Sequence, residues 1–588
     1  MENETHGVSA SDQRDWEVSA AAMNPKREGL VHDGDPKFMK RILFLLSLAA
    51  SLSAYAAAPD LILFNGKVFT SDPANPNAEA LAIRGERIVA VDTTKNISAL
   101  AGPNTKRIDL GGRVVVPGFN DAHFHHMPNP EGVTVRLPMP PGAFVPEPTW
   151  DEVLAALPAA VQQARKYEWI YANVGQTVVN DSRATRDPLD KFAPENPVLV
   201  GSWFGHGNLF NTAAMRRVGI GEEQPDPMGG RFGRFAVTQR VTGMVYEYAG
   251  WPAFRVLEES CTDEEIIRSL KQLAGEAAQF GITTIQNMTY LKPNRYVELL
   301  RRADFPLRMR VIRWPATHTR GRDVKEGLEV PMHPAGAPRV TVSGTKWVLD
   351  GSPLERGMAV RGEYRDRPGW SGALNFSDSE IQAMLRETIA RKDQSLLHAV
   401  GDKTVEAVLN AMEAVDADAS HWPARRVRIE HGDGLLPDLL PRAKKLGVVV
   451  VQNPTHFDPG VAHFFERFGT NHPYLPLRSL AAAGIPLAFG SDGPMNPGLN
   501  ILFAQIHPAR PGEGITREEA VTAYTRGSAF AEFAEQEKGS LAVGKFADLA
   551  VLSQDIFHVA PPELPKTVSV LTLVGGKTVH DSGVLRPE

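Results

Sequence analysis

The stretch Pro117-Gly118-Phe119-Asn120-Asp121-Ala122-His123-Phe124-His125 carries two histidines at i and i+2 behind an apolar run. Residues two apart on a strand face the same way, so both imidazoles can reach one metal ion. Further along, four more polar groups close apolar runs: Lys346 or its neighbour Asp350, His398, His431 and Asp492. A lone histidine at a strand end is more often a hydrogen-bonded structural residue than a ligand. Several of them at successive strand ends are instead the donor set of a metal centre, and a pair of ions is what such a set suits. Cys261 is the only cysteine, which excludes an intrachain disulfide framework and Cys-rich metal sites, so His and carboxylate must do the holding.

Positioning these groups requires parallel strands. Apolar runs alternate with helical patterns through the middle of the chain, which predicts βα units. Eight strands are expected: Val114 to Phe119, Gly281 to Gln286, Leu307 to Ile312, Val342 to Leu349, Gln394 to His398, Val427 to His431, Val448 to Gln452 and Ile485 to Gly490. Helices are expected at Ser379 to Arg391, Lys403 to Val415 and Arg517 to Phe533. The α/β class follows, as a (β/α)₈ TIM barrel over 116–535 whose active groups sit at the C-terminal strand ends. About 150 residues separate the first two strands, too many for a structureless loop, so an inserted subdomain with its own helices at roughly 130–260 is expected to cap the mouth. Short strands at 57–115 and again at 536–588 predict a small β-sandwich domain built from both chain ends.

The 588 residues suit such a barrel with satellites. A hydrophobic share of 43% and a charged share of 22% exclude whole-chain disorder. With 63 basic against 69 acidic residues there is no electrostatic footprint for nucleic acid. The expected partner is a small-molecule substrate, and a homo-oligomer is compatible with the composition.

The motifs Pro117-Gly118-Phe119 through His125, Lys346 before Asp350-Gly351-Ser352, His398-Ala399-Val400-Gly401-Asp402, Ile429-Glu430-His431, Gly490-Ser491-Asp492-Gly493-Pro494 and Gly539-Ser540-Leu541 through Asp548-Leu549 together resemble the amidohydrolase superfamily. The likeness is strongest to its amidohydrolase-3 branch, which includes N-substituted formamide deformylases and exoenzyme-regulator-like proteins, and it runs from about Asp60 to His580. The resemblance implies that His123, His125 and Asp492 bind a more buried metal and that His398 and His431 bind a more exposed one. It implies Lys346 as a carboxylated bridge between them, with an unmodified lysine and a single ion as the alternative. Phe204-Gly205-His206-Gly207-Asn208 and Asn211 resemble a family segment facing the substrate, which makes His206 and Asn211 candidate substrate contacts.

The expected cofactor is one or two divalent ions, zinc first, with manganese, iron or cobalt as alternatives. Such ions lower the pKa of bound water from 15.7 to about 7 and polarise a carbonyl. Asp492 would take the water's proton and hand it to the leaving nitrogen. The expected reaction is hydrolysis of an amide or formamide C–N bond outside peptides. Ester or lactone hydrolysis, isomerisation, and metal or ligand binding without turnover are the competing readings.

Met39-Lys40-Arg41, the apolar run Ile42 to Leu52 and Ala54-Tyr55-Ala56 have the three parts of a secretory signal peptide over 39–56, so the protein is expected to be exported to the periplasm or medium, without a membrane anchor after cleavage. A signal peptide works at an N-terminus, so residues 1–38, with eight acids and four bases, are expected to be a non-native extension. N-terminal sequencing of the native protein should therefore begin at Ala57 or a neighbour; finding residues 1–38 in it would overturn both expectations.

Overall fold

The computed structural model describes residues 58–139, 145–466 and 474–585. The expected extension and signal peptide, at 1–38 and 39–56, lie outside them. No helix among the described residues is long and apolar enough to cross a membrane.

At the centre lies an eight-stranded parallel sheet of β1 (Phe119–Phe124), β2 (Ile282–Met288), β3 (Arg308–Arg313), β4 (Val340–Val348), β5 (Ser395–Ala399), β6 (Arg428–His431), β7 (Val449–Gln452) and β8 (Leu487–Phe489), paired in chain order. The strands are buried along most of their length, as a parallel sheet with covered faces requires; Val449, Val450 and Val451 are all fully enclosed. The edges β1 and β8 meet where Asp492 N–H donates to the His123 carbonyl (3.0 Å) and Ser491 N–H donates to Asp121 Oδ1 (2.8 Å). These two bonds bring the two ends of the sheet together into a barrel. A side chain on Gly490 would collide with the His123 backbone and Cβ, so this close approach depends on glycine.

Helices Asp263–Gln279, Asp378–Arg391 and Asp402–Val415 pack outside. The first starts at a capping box in which Thr262 and Glu265 satisfy each other's backbone N–H groups, and the second is capped by Ser377.

Three expectations are corrected. The run Val114 to Phe119 is not one strand: Val114–Pro117 pairs with Leu549–Leu552 and Lys67–Phe69 in the sandwich, and the barrel strand begins at Phe119. The chain changes sheets at Gly118, which passes so tightly over Thr283 that a Cβ would lie 2.2 Å from its side chain. The expected helix Arg517 to Phe533 is broken into Arg517–Thr522, a π-helical turn Ala523–Gly527 and Ser528–Phe530. That wide turn seats Tyr524 against Phe119 and Phe489, with ring centroids 5.5 and 6.2 Å away. The insertion is more than helices: it holds a six-stranded mixed sheet running from Gly132–Thr134 to Val241–Glu247 and Gly230–Arg234.

Both chain ends do share a sheet. Lys577–Asp581, Ser569–Val574 and Leu549–Leu552 continue into Val114–Pro117, Lys67–Phe69 and Asn77–Ala78, while a second, four-stranded sheet comes from Leu61–Asp109 alone. Leu63, Leu81 and Ile88 of one sheet and Val115, Val551 and Leu573 of the other form one buried cluster between them.

Candidate metal centre

The C-terminal ends of the barrel strands open into a cavity of about 870 Å³, lined by His123, His125, Lys346, His398, His431 and Asp492 among others. All six proposed ligands therefore face one space. His123 and His125 leave β1 with their Nε2 atoms 3.2 Å apart. Asp492, just beyond β8, lies 3.7 Å from His123 Nε2, 3.6 Å from His125 Nε2 and 3.9 Å from His431 Nε2. The His398 and His431 rings are 4.6 Å apart. His431 and Asp492 hold left-handed backbone angles, φ 67° and 40°, which non-glycine residues rarely adopt. Such strain collects where a chain must aim a functional group.

The tautomers decide what these nitrogens offer. His123 Nδ1 lies 2.6 Å from Glu430 Oε2, and His125 Nδ1 lies 3.1 Å from the Met288 carbonyl. Each partner is an acceptor, so both Nδ1 atoms carry the proton and both Nε2 atoms present lone pairs. Burial, the largest influence on both, holds the two imidazoles below the ordinary histidine range, His125 at about 3. Burial opposes charge on Asp492, but nearby positive charge, the Lys346 ammonium included, holds its carboxyl below the ordinary range. Lone pairs and an ionised carboxylate thus point at one another, an arrangement that a metal cation between them relieves. Two nitrogens about 2.05 Å from a tetrahedral ion would be about 3.3 Å apart, and His123 and His125 are held at that spacing. His398 Nε2 is buried without a hydrogen-bond partner, a second orphaned donor atom at the same mouth. The residues fit a metal.

Lys346 and Asp350 differ in their partners. Asp350 is fully buried and accepts from Ala359 N–H, Val400 N–H, Gly401 N–H and the Thr404 hydroxyl, which ties a loop to the start of a helix. Lys346, on β4, lines the cavity, and burial pulls its ammonium down to about 8.

His206 also lines the cavity, with its ring 5.2 Å from His398. Burial alone would lower it, but Glu247, whose Oε1 is 2.7 Å from its Nδ1, raises it to about 9. Asn211 is corrected: it does not reach the cavity. It caps the helix Thr212–Val218, its Oδ1 accepting from Ala214 and Val198 N–H and its Nδ2 donating to the Ala193 and Asn196 carbonyls. Every polar atom of that side chain is spent on the fold.

Sequence reasoning missed several neighbours. His456 lies with Nε2 3.3 Å from the Asp492 carbonyl oxygen and stacks on His431. It sits in the first turn after β7, a strand that closes on Gln452 with no histidine or carboxylate at its end. Glu430 stood inside the motif Ile429-Glu430-His431 and Arg428 just before it, neither with a role of its own, and the stacked wall of Trp314, Tyr290 and Phe254 gave no sequence signal, because aromatic cores and aromatic pocket walls look alike in one dimension.

Residues 106–580 match the amidohydrolase family. The chain belongs to that family. It is a metal-dependent hydrolase acting on carbon–nitrogen bonds. Among its relatives, Protein LONG AFTER FAR-RED 3 of Arabidopsis thaliana is 28% identical, with 89% of this chain and 91% of that protein aligned. The N-substituted formamide deformylase of Arthrobacter pascens is 27% identical over 88% of this chain and 97% of its own. In fold, the chain is similar to a metal-dependent hydrolase from Pyrococcus furiosus, at TM-score 0.63 and 23% identity, covering 85% of this chain and all of that one.

Proposed function

We propose that this amidohydrolase cleaves an amide or formamide bond of a small, uncharged molecule. His123, His125, His398, His431 and Asp492 would hold the metal, and Lys346 would join them as a carboxylated bridge. The observation carrying the assignment is the pair of Nε2 lone pairs facing Asp492, each fixed by an acceptor on its Nδ1. Imidazole and carboxylate donors favour zinc. When bound, the metal supplies a water activated at neutral pH and polarises the carbonyl. Asp492 takes the water's proton and passes it to the leaving nitrogen, which as an amide anion is too basic to depart alone. An ammonium held near 8 leaves part of Lys346 as neutral amine near pH 7, the form that takes up carbon dioxide. His206, oriented by Glu247, donates to the substrate from the insertion side.

The cavity walls support the substrate class. Trp314 packs 5.0 Å from His125, and Tyr290 and Trp251 each pack 4.7 and 6.2 Å from other rings of that wall. Among the described lining residues Lys346 is the only lysine or arginine, and the charge on His206 is answered by Glu247 2.7 Å away, so neither is left over for a substrate carboxylate. Uncharged N-formyl and N-acyl amines are expected to be hydrolysed with equal release of acid and amine, and N-acyl amino acids much more slowly. Faster turnover of the amino acids would overturn the uncharged class; no release from any of them by metal-loaded protein would overturn the reaction.

A further inference from the structure

Arg428 lies on β6, fully buried, two residues before Glu430 and on the same side of the strand. Its guanidinium grips Glu430 with two bonds, Nε to Oε1 at 2.8 Å and Nη2 to Oε2 at 3.0 Å. That Oε2 is the acceptor of His123 Nδ1–H. Nη2 also donates to the carbonyl of Ala122 at 2.8 Å, so Arg428 touches the strand carrying His123 as well as the carboxylate orienting it. Its remaining arm, Nη1, donates to Gln286 Oε1 on β2 at 2.5 Å. Gln286 is locked in turn: its Nε2 donates to the Ser528 carbonyl and to Asn120 Oδ1, which leaves its oxygen facing Arg428 and Arg310.

A carboxylate held at one oxygen can rotate, whereas a two-bond grip by a planar guanidinium fixes its plane. The direction of His123 Nε2 depends on that plane, because the imidazole turns with the acceptor its Nδ1–H follows. We propose that Arg428 is a positioning residue for the metal centre, clamping Glu430 and the Ala122 carbonyl so that His123 keeps one tautomer and one orientation. The chain of contacts crosses the barrel interior from Gln286 on β2 to Glu430 on β6 and ends on β1. No single strand could set this direction alone. The inference rests on the metal assignment above, and it concerns a residue that reaches neither metal nor substrate.

The test compares full-length wild-type protein with Arg428→Lys, Arg428→Met, Glu430→Gln and the Arg428→Met/Glu430→Gln double variant. Zinc affinity is read by chelator competition, and the ligand field by visible absorption of the cobalt-loaded protein. Arg428→Met is expected to weaken zinc binding about 10–100-fold and to alter the cobalt bands. Arg428→Lys keeps the charge without the fork and should lose affinity in the same direction. Should Arg428→Met fail to fold because Glu430 is left buried and unpaired, the double variant removes both charges and restores a foldable comparison. The cost of losing Arg428 should shrink in the Glu430→Gln background, since the effect runs through that carboxylate. Wild-type affinity and an unchanged cobalt spectrum in Arg428→Lys would overturn the proposal, as would an undiminished loss in the double variant. A wild-type protein that binds no zinc would instead overturn the metal assignment itself.

Discussion

Asp492→Asn is expected to keep its metal and lose about 10²–10⁴-fold in kcat, the range that positioned proton transfer supplies. The substitution preserves shape and one ligand oxygen, while an amide cannot take up the proton. It is also gentle on the backbone. Asp492 sits at φ 40°, and asparagine is among the few residues that tolerate the left-handed region, so the loss will report chemistry and not misfolding. The bond from its N–H to the His123 carbonyl, which joins β8 to β1, does not involve the altered atoms. Steady-state kinetics beside elemental analysis of the same sample make the measurement. A variant with normal rate and normal metal would remove Asp492 from the proton-transfer role.

Stripping the metal should have an effect at least as large, because nothing else in the cavity can generate hydroxide near pH 7 from water whose own pKa is 15.7. Dialysis against a chelator is expected to abolish turnover, and zinc, manganese or cobalt to restore it. The same preparations decide the role of Lys346. With a carboxylated bridge the native protein should hold about two ions per chain and Lys346→Met about one, since the bridge is what satisfies both ions together. Native protein with about one ion per chain would leave Lys346 a buried lysine beside a mononuclear site. Turnover that survives complete removal of metal would overturn the mechanism, and failure of every divalent ion to restore it would favour binding without turnover.

Much of this site was legible because its donors follow a rule of position. A barrel places its working groups at strand ends, so His398 at the close of Ser395–Ala399 and His431 at the close of Arg428–His431 could be found by locating apolar runs and reading the residue that ends each. The same rule pointed at both Lys346 and Asp350 without choosing, since both follow the same run. Asn211 came in beside His206 through the likeness of the insertion segment to the family pattern, although four hydrogen bonds assign that side chain to a helix start. Local sequence does not show which way a side chain turns at the end of an insertion.

Element order, the parallel barrel and the polar residues that stand at its strand ends were readable from the sequence alone, because period, length and residue type are local properties that burial enforces along the chain. Convergence and direction came from the folded barrel instead. Glu430 and His123 are 307 positions apart and yet 2.6 Å from each other, and Arg428 reaches the Ala122 carbonyl across 306 positions. Pairings of that kind depend on how strands wrap into a closed sheet, which no window of neighbouring residues encodes. The tautomer of His123, the orphaned Nε2 of His398 and the aromatic wall beside His125 all arise from that closure.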